Sequence, residues 1–166
     1  DSDRTDLSAR RVTAILYLNP RWRPADGGQL RLYPFPLAPV DIEPRMDRLV
    51  LFSSPFMLHR VLPSHADERF CLTIWFASER SRAAAAASQP RAKQSSASST
   101  PAQRILQPDT WKLLARALYA EEWARSIEES HAASEGRARL LAKHWTDVEK
   151  IRTRFSDELA WLASVR

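Results

Sequence analysis

Short runs of alternating side chains, each closed by proline or glycine, constrain this chain more than any other feature. The clearest are residues 12–19, 29–33, 48–53 and 69–76, and between them lie Pro20 and Pro24, Gly27 and Gly28, the proline-rich 34–39, and the polar turn 63–68. Period-two runs of this length between breakers read as strands of a sandwich or barrel, because glycine and proline punctuate the chain where a ladder must stop. Four such strands are too few to close an eight-stranded jelly roll, so an N-terminal portion is expected to be missing. The first residue, Asp1, is not Met, which is expected of a fragment or a processed piece. No stretch approaches the roughly 18–20 apolar residues of a membrane span, and none has the charged-then-apolar beginning of a signal peptide. A soluble chain with no membrane partner is expected.

Alternation also assigns faces. In 69–76 one face holds Arg69, Cys71, Thr73 and Trp75, and the other holds Phe70, Leu72, Ile74 and Phe76, which reads as a core face. Arg69 and Thr73 then point to the opposite side. Inside a barrel that side is the interior, where a guanidinium needs an anionic partner. In 12–19 one face holds Thr13, Ile15, Tyr17 and Asn19. A buried Tyr17 needs a partner for its hydroxyl. A small dicarboxylate satisfies both groups, by a bidentate pair to Arg69 and a hydrogen bond from Tyr17. His59 reads as the end of the strand-like run that begins near Arg48.

Beyond residue 80 the texture changes. Residues 81–104 are mainly Ala, Ser, Gln, Pro and Arg/Lys and read as a flexible linker, with a short frayed helix allowed at the five alanines 83–87. Residues 105–166 return to helical period. Pro108 and Asp109 signal a start, followed by Trp111, Leu114, Leu118, Trp123 and Ile127. After a break at 134–136, a second stripe carries Leu141, His144, Val148, Ile151, Phe155, Leu159 and Leu162. A helical hairpin is expected, with little core of its own, packing on the barrel, on another copy or on a partner. Trp111, Trp123, Trp145 and Trp161 read as packing anchors, His131 and His144 as surface and stripe residues, and His65 as a solvated turn residue.

One cysteine, Cys71, excludes an internal disulfide framework and a Cys-rich zinc module, and suits a reducing compartment, with cytoplasm or nucleus favoured. The net charge of +5, from 25 basic and 20 acidic residues, includes no run of five like charges. It describes a solvated basic surface rather than a nucleic-acid face.

Five blocks in order, RRVTAILYLNPRW, DGGQLRLYP, DIEPRMDRLVLFSS, HRVLP and ERFCLTIWF, resemble the catalytic domain of the prolyl 4-hydroxylase family of iron(II)- and 2-oxoglutarate-dependent dioxygenases. They are similar to the oxygen-sensing prolyl hydroxylases and their relatives in unicellular eukaryotes. The resemblance covers nearly all of residues 1–80. It implies a double-stranded β-helix, here the C-terminal portion of the domain. It also implies Fe(II), 2-oxoglutarate and O2 as cofactors, with ascorbate as an accessory reductant, and a proline-containing protein or peptide as substrate. By position, His59 is similar to the distal iron ligand, Arg69 to the arginine that pairs with the far carboxylate of 2-oxoglutarate, and Tyr17 to the tyrosine that hydrogen-bonds it. Thr73, Trp75, Ile15 and Leu30 resemble pocket-lining positions.

The departure lies at the start. The family's facial triad is two histidines and one carboxylate with open positions for ligands, and no histidine precedes His59. Asp1 is the expected carboxylate, with Asp3 the alternative. Little turnover is therefore expected from these residues alone. The reading from another class is a degenerate barrel, without activity, that scaffolds the helical tail.

Overall fold

The computed structural model describes residues 10–78 and 100–164. They form two compact units, one of strands and one of helices, with Phe35–Leu37 grouped in the helical one.

The strand unit holds two antiparallel three-stranded sheets. β1 (Arg10–Tyr17), β2 (Leu30–Tyr33), β3 (Val40–Ile42), β4 (Leu49–Ser53), β5 (Leu58–Val61) and β6 (Cys71–Ala77) follow in chain order. One sheet runs β4-β1-β6 and the other β3-β2-β5. The prolines and glycines fall in the connections, where Pro24–Asp26 forms a single 3-10 turn. Two strands differ from the sequence reading. β3 is short and follows directly on the proline-rich segment, so its alternation is too brief to register. The run from Arg48 does not end at His59: it breaks at Ser54, Pro55 and Phe56, and His59 lies on β5 in the other sheet.

Register fixes which side chains share a face. Thr13 and Ile15 on β1 pair with Phe52 and Val50 on β4, and Thr13, Ile15 and Tyr17 pair with Trp75, Thr73 and Cys71 on β6. On the second sheet Leu32 pairs with His59, and Leu30 with Val61 and Ile42. Ile15, Tyr17, Leu30 and Phe52 form one buried cluster, with Leu32, Ile42, Val50 and Met57 against it. The two sheets thus face each other across these side chains, and each fully buried large residue contributes about 1.5–3 kcal/mol. The opposite face of β2 is polar by design of its partners: Arg31 grips both carboxylate oxygens of Asp41 at 2.7 Å, and Arg60 donates to the Tyr33 hydroxyl at 3.0 Å.

The face expected to be core on 69–76 is not buried. Phe70, Leu72, Ile74 and Phe76 are each about half exposed, as are Leu49 and Leu51 on β4. Nothing among the described residues covers that side of the sheet. The alternation was right about parity; burial needs a second layer that parity does not supply.

In the helical unit α1 (Pro101–Ile105), α2 (Pro108–Leu118), α3 (Ala120–Ser130), α4 (Glu135–Arg154) and α5 (Ser156–Ser164) replace the expected hairpin. Residues 101–104 of α1 fall in the segment read as linker; the alanines 83–87 lie outside the described residues. A reciprocal capping box starts α1, with Thr100 accepting from the Gln103 amide and Gln103 from the Thr100 amide. Ser134 caps α4 at the expected break. The two long stripes are interrupted at Tyr119 and Phe155, which cap α2 and α4. Contrary to expectation the unit has its own core, built from Ile105, Leu114, Ala117, Ile151, Phe155 and Leu162 with Phe35 against it. Tyr119 donates its hydroxyl to the Leu37 carbonyl at 2.8 Å. His144, on the expected stripe, is buried, donating from Nε2 to the Ala120 carbonyl at 3.0 Å. Of the four tryptophans read as anchors Trp111 is buried, whereas Trp123 and Trp161 are exposed. No helix among the described residues is long and apolar enough to cross a membrane.

Candidate functional site

Tyr17 sits at the end of β1, fully buried, and its hydroxyl has no hydrogen-bond partner. Buried polar atoms without partners are rare and call for an explanation, since each costs about 1–3 kcal/mol. Arg69 lies beside it, with its guanidinium carbon 5.2 Å from the centre of the tyrosine ring. Burial pushes the Tyr17 phenol above its ordinary pKa, and the Arg69 charge pulls the other way. The net rise keeps the phenol protonated and able to donate.

Arg69 precedes β6 by two residues, and the chain around it is held in place by groups that the sequence reading treated only as strand ends and turns. Its Nε donates to the Gly28 carbonyl at 2.8 Å. Gly28 is in the left-handed region (φ 71°), and a Cβ there would come within 2.9 Å of Arg69 Cδ. Glycine therefore gives both the turn and the room for the arginine stem. The Gly28 amide in turn donates to the Pro63 carbonyl at 2.8 Å. Asn19 clamps the next residue: its Oδ1 accepts from the Phe70 amide at 2.7 Å, and its Nδ2 donates to the Phe70 carbonyl at 3.0 Å and to the Pro44 carbonyl at 2.7 Å. The end of β1 is thereby tied to the start of β6, and Arg69 is carried against Tyr17. With Nε committed to Gly28, the rest of the guanidinium has no ion-pair partner among the described residues.

The other candidates lie on the same and neighbouring strands. Ile15 and Leu30 belong to the same buried cluster as Tyr17. Thr73, partly buried, is the cross-strand partner of Ile15, and Trp75 is that of Thr13. Trp75 is half exposed, with the Arg10 guanidinium 4.1 Å above its ring.

His59 is exposed on β5, on the side that Leu32 shares with the core. Its ring packs on Phe52 at 4.6 Å, and its Nδ1 lies 2.9 Å from the Met57 carbonyl. A carbonyl only accepts, so Nδ1 carries a proton, which leaves Nε2 as the ring nitrogen that could meet a metal, the arrangement by which a backbone carbonyl orients a metal-ligating histidine. Asp1 and Asp3 lie outside the described residues, among which no cluster of three metal-ligating side chains occurs. An open groove of about 690 Å³ along β3 and β4 is lined by Gln29, Asp41 to Glu43 and Arg48 to Leu51, and none of these candidates lines it.

An unpartnered phenol and an arginine with a free face suit a carboxylate, and an imidazole with Nε2 uncommitted suits a metal. Residues 1–77 match the model of the 2OG-Fe(II) oxygenase superfamily. The chain is 48% identical over 81 residues to a hypoxia-inducible factor prolyl hydroxylase of Caenorhabditis elegans, covering 46% of this chain and 11% of that protein. It is 42% identical over 86 residues to human Egl nine homolog 1, covering 49% of this chain and 20% of that protein. A crystal structure of a prolyl 4-hydroxylase from Phytophthora capsici superposes with a TM-score of 0.64 at 38% identity, over 95% of this chain and 52% of that one. The chain thus spans a minor part of these curated relatives and about half of the solved structure. Over residues 1–77 it is similar to the 2OG-Fe(II) oxygenase superfamily and to prolyl hydroxylases.

Proposed function

We propose that residues 1–77 are the C-terminal portion of the jelly-roll domain of an Fe(II)- and 2-oxoglutarate-dependent dioxygenase that hydroxylates prolyl residues in a protein or peptide. The observation that carries this reading is the buried, unpartnered Tyr17 hydroxyl beside a guanidinium with no ion-pair partner. Two antiparallel three-stranded sheets packed face to face are compatible with part of an eight-stranded jelly roll.

In this reading Arg69 pairs with the far carboxylate of 2-oxoglutarate, Tyr17 donates a hydrogen bond to the same group, and Gly28 and Asn19 hold Arg69 in place. Ile15, Leu30 and Thr73 wall the cosubstrate and keep water out, and Trp75 borders the opening. Fixing the far end of the cosubstrate orients its keto acid end, so part of the barrier is met by placement. His59 offers Nε2 to iron, and Asp1, or Asp3 in its stead, offers a carboxylate; a second imidazole is still needed for the two-histidine, one-carboxylate set. When bound, Fe(II) and 2-oxoglutarate supply the oxidative chemistry, using O2 to hydroxylate a C–H bond as succinate and CO2 are released. Ascorbate fits as an accessory reductant. The helical tail fits a docking role toward a partner.

Anaerobic titration with Fe(II) and 2-oxoglutarate tests the reading, on residues 1–166 and on the same chain extended upstream. Both are expected to bind 2-oxoglutarate, with His59→Ala abolishing the metal-dependent absorbance, and succinate release is expected mainly from the longer chain. Absence of 2-oxoglutarate binding in both would favour a scaffold without activity.

A further inference from the structure

The double glycine that seats Arg69 cannot hold its own shape. Gly27 (φ 65°, ψ −149°) and Gly28 (φ 71°) both lie at positive φ, and Gly27 is in a region open almost to glycine alone. A side chain cannot be used to stiffen the turn at Gly27, because its Cβ would lie 2.4 Å from the Pro63 carbonyl oxygen. Glycine reaches other conformations readily, so two in succession keep one shape only where their peptide groups are bound from outside. Among the described residues four hydrogen bonds do this. The Gly27 amide donates to the Pro24 carbonyl at 3.3 Å, and the Gly28 amide to the Pro63 carbonyl at 2.8 Å. The Gly28 carbonyl accepts from Arg69 Nε at 2.8 Å, and the Gly27 carbonyl accepts from the Trp22 indole at 2.8 Å. The side chains that bond the pair are therefore Arg69 itself and Trp22.

Trp22 is held in its turn. Its ring is partly buried, its amide lies 3.4 Å from the Asn19 carbonyl, and the Arg45 guanidinium, paired with Glu43 at 2.8 Å, lies 5.6 Å from the ring centre. We propose that Trp22 is a positioning residue for 2-oxoglutarate: its indole N–H fixes the Gly27–Gly28 turn, the turn fixes the Gly28 carbonyl against Arg69 Nε, and the guanidinium is thereby aimed at the far carboxylate. This role rests on the reading of Arg69 given above. A guanidinium is planar with its donors in a fixed fork, so holding Nε also sets where the terminal N–H groups point. Asn19 fixes the backbone beside Arg69 through Phe70, and Trp22 fixes the far end of its side chain. Trp22 acts through Arg69 rather than on the ligand.

Two substitutions in residues 1–166 separate the indole N–H from the ring that carries it. Trp22→Phe keeps a ring beneath Arg45 and loses the donor. Trp22→His also loses the larger ring but places Nε2 at the ring position of the indole nitrogen, restoring a donor. Calorimetric titration reads 2-oxoglutarate affinity, and NMR reads exchange of the Arg69 Nε–H, identified by its loss in Arg69→Lys, together with exchange of the β1 amides. Trp22→Phe is expected to bind 2-oxoglutarate about three- to tenfold more weakly, the worth of one neutral hydrogen bond. Its Arg69 Nε–H should exchange faster by a similar factor, while the β1 amides keep the protection of the parent. Trp22→His is expected to recover most of the affinity. Equal weakening in both variants, or loss of β1 protection in step with affinity, makes Trp22 a packing residue and refutes the proposal. Parent-like affinity in Trp22→Phe, or weaker binding with Nε–H exchange unchanged, refutes it as well, and in all these cases the site reading stands. A parent chain that binds no 2-oxoglutarate overturns the site reading, and the proposal with it.

Discussion

Replacing Tyr17 by phenylalanine should move stability and ligand affinity in opposite directions. The ring is wholly buried and packs with Ile15, Leu30 and Phe52. Phenylalanine keeps those contacts and the surface over which the Arg69 guanidinium lies at 5.2 Å. It removes only a hydroxyl without a partner. An unpaired buried hydroxyl costs about 1–3 kcal/mol. The ligand-free variant should therefore be as stable as the parent or more stable by about 1 kcal/mol, the low end because Arg69 offsets part of the cost. With 2-oxoglutarate bound, the same hydroxyl donates to a carboxylate, a charge-assisted bond of about 1.5–3 kcal/mol. Affinity should fall roughly 10- to 150-fold, at about 1.4 kcal/mol per factor of ten. Amide hydrogen exchange along β1 reads the opening free energy of the strand unit by itself, and calorimetric titration reads the affinity. A variant that is destabilised by 1 kcal/mol or more without ligand, yet binds 2-oxoglutarate like the parent, would refute the reasoning and make Tyr17 a structural residue.

Gly28→Ala should cost about 1–2 kcal/mol and lower 2-oxoglutarate affinity with it, since its φ of 71° strains any side chain and the new Cβ meets Arg69 Cδ at 2.9 Å. Gly136→Ala, where the nearest atom to the new Cβ is 3.7 Å away, is the matched control and should be neutral or slightly stabilising by urea denaturation. Asn19→Ala removes both side-chain bonds to the Phe70 backbone; the expected loss is about 1–3 kcal/mol, and exchange of the Phe70 amide should quicken by NMR. Tyr17 also sets a pH dependence. Its folded pKa lies above the unfolded value near 10.0, so the unfolded chain ionises first. Its contribution is fully present below that value and is lost as the pH rises through the folded pKa. Phenolate absorbance against pH should show one tyrosine titrating late, absent in Tyr17→Phe.

Parity was the legible part of the site. Tyr17, Ile15, Arg69 and Thr73 were placed on common faces by alternation alone, and the ladder between β1 and β6 pairs Ile15 with Thr73 and Tyr17 with Cys71 as that alternation requires. His59 was legible as a candidate through its sequence context but not in its position, because a break at 54–56 carries it to the other sheet. Gly28 and Asn19 were missed as positioning residues. Their signal in one dimension is that of any turn glycine or strand-end asparagine; their meaning comes from Arg69 and Phe70, 41 and 51 residues away. In the helical unit the stripe through His144, Val148, Ile151, Phe155 and Leu162 was legible, and these residues are buried. The interruptions at Tyr119 and Phe155 were not, since neither position carries a proline or glycine to announce a stop.

Local chemistry is what the amino-acid order determined by itself: above all, which side chains share a face of a strand or a helix. That follows from short-range geometry, a repeat of two or of 3.6 residues. Tertiary structure alone decided which faces are buried, how Asn19 and Gly28 set Arg69 against Tyr17, and that the Tyr17 hydroxyl is left without a partner. Those depend on pairs brought together from distant parts of the chain, and no local periodicity encodes them.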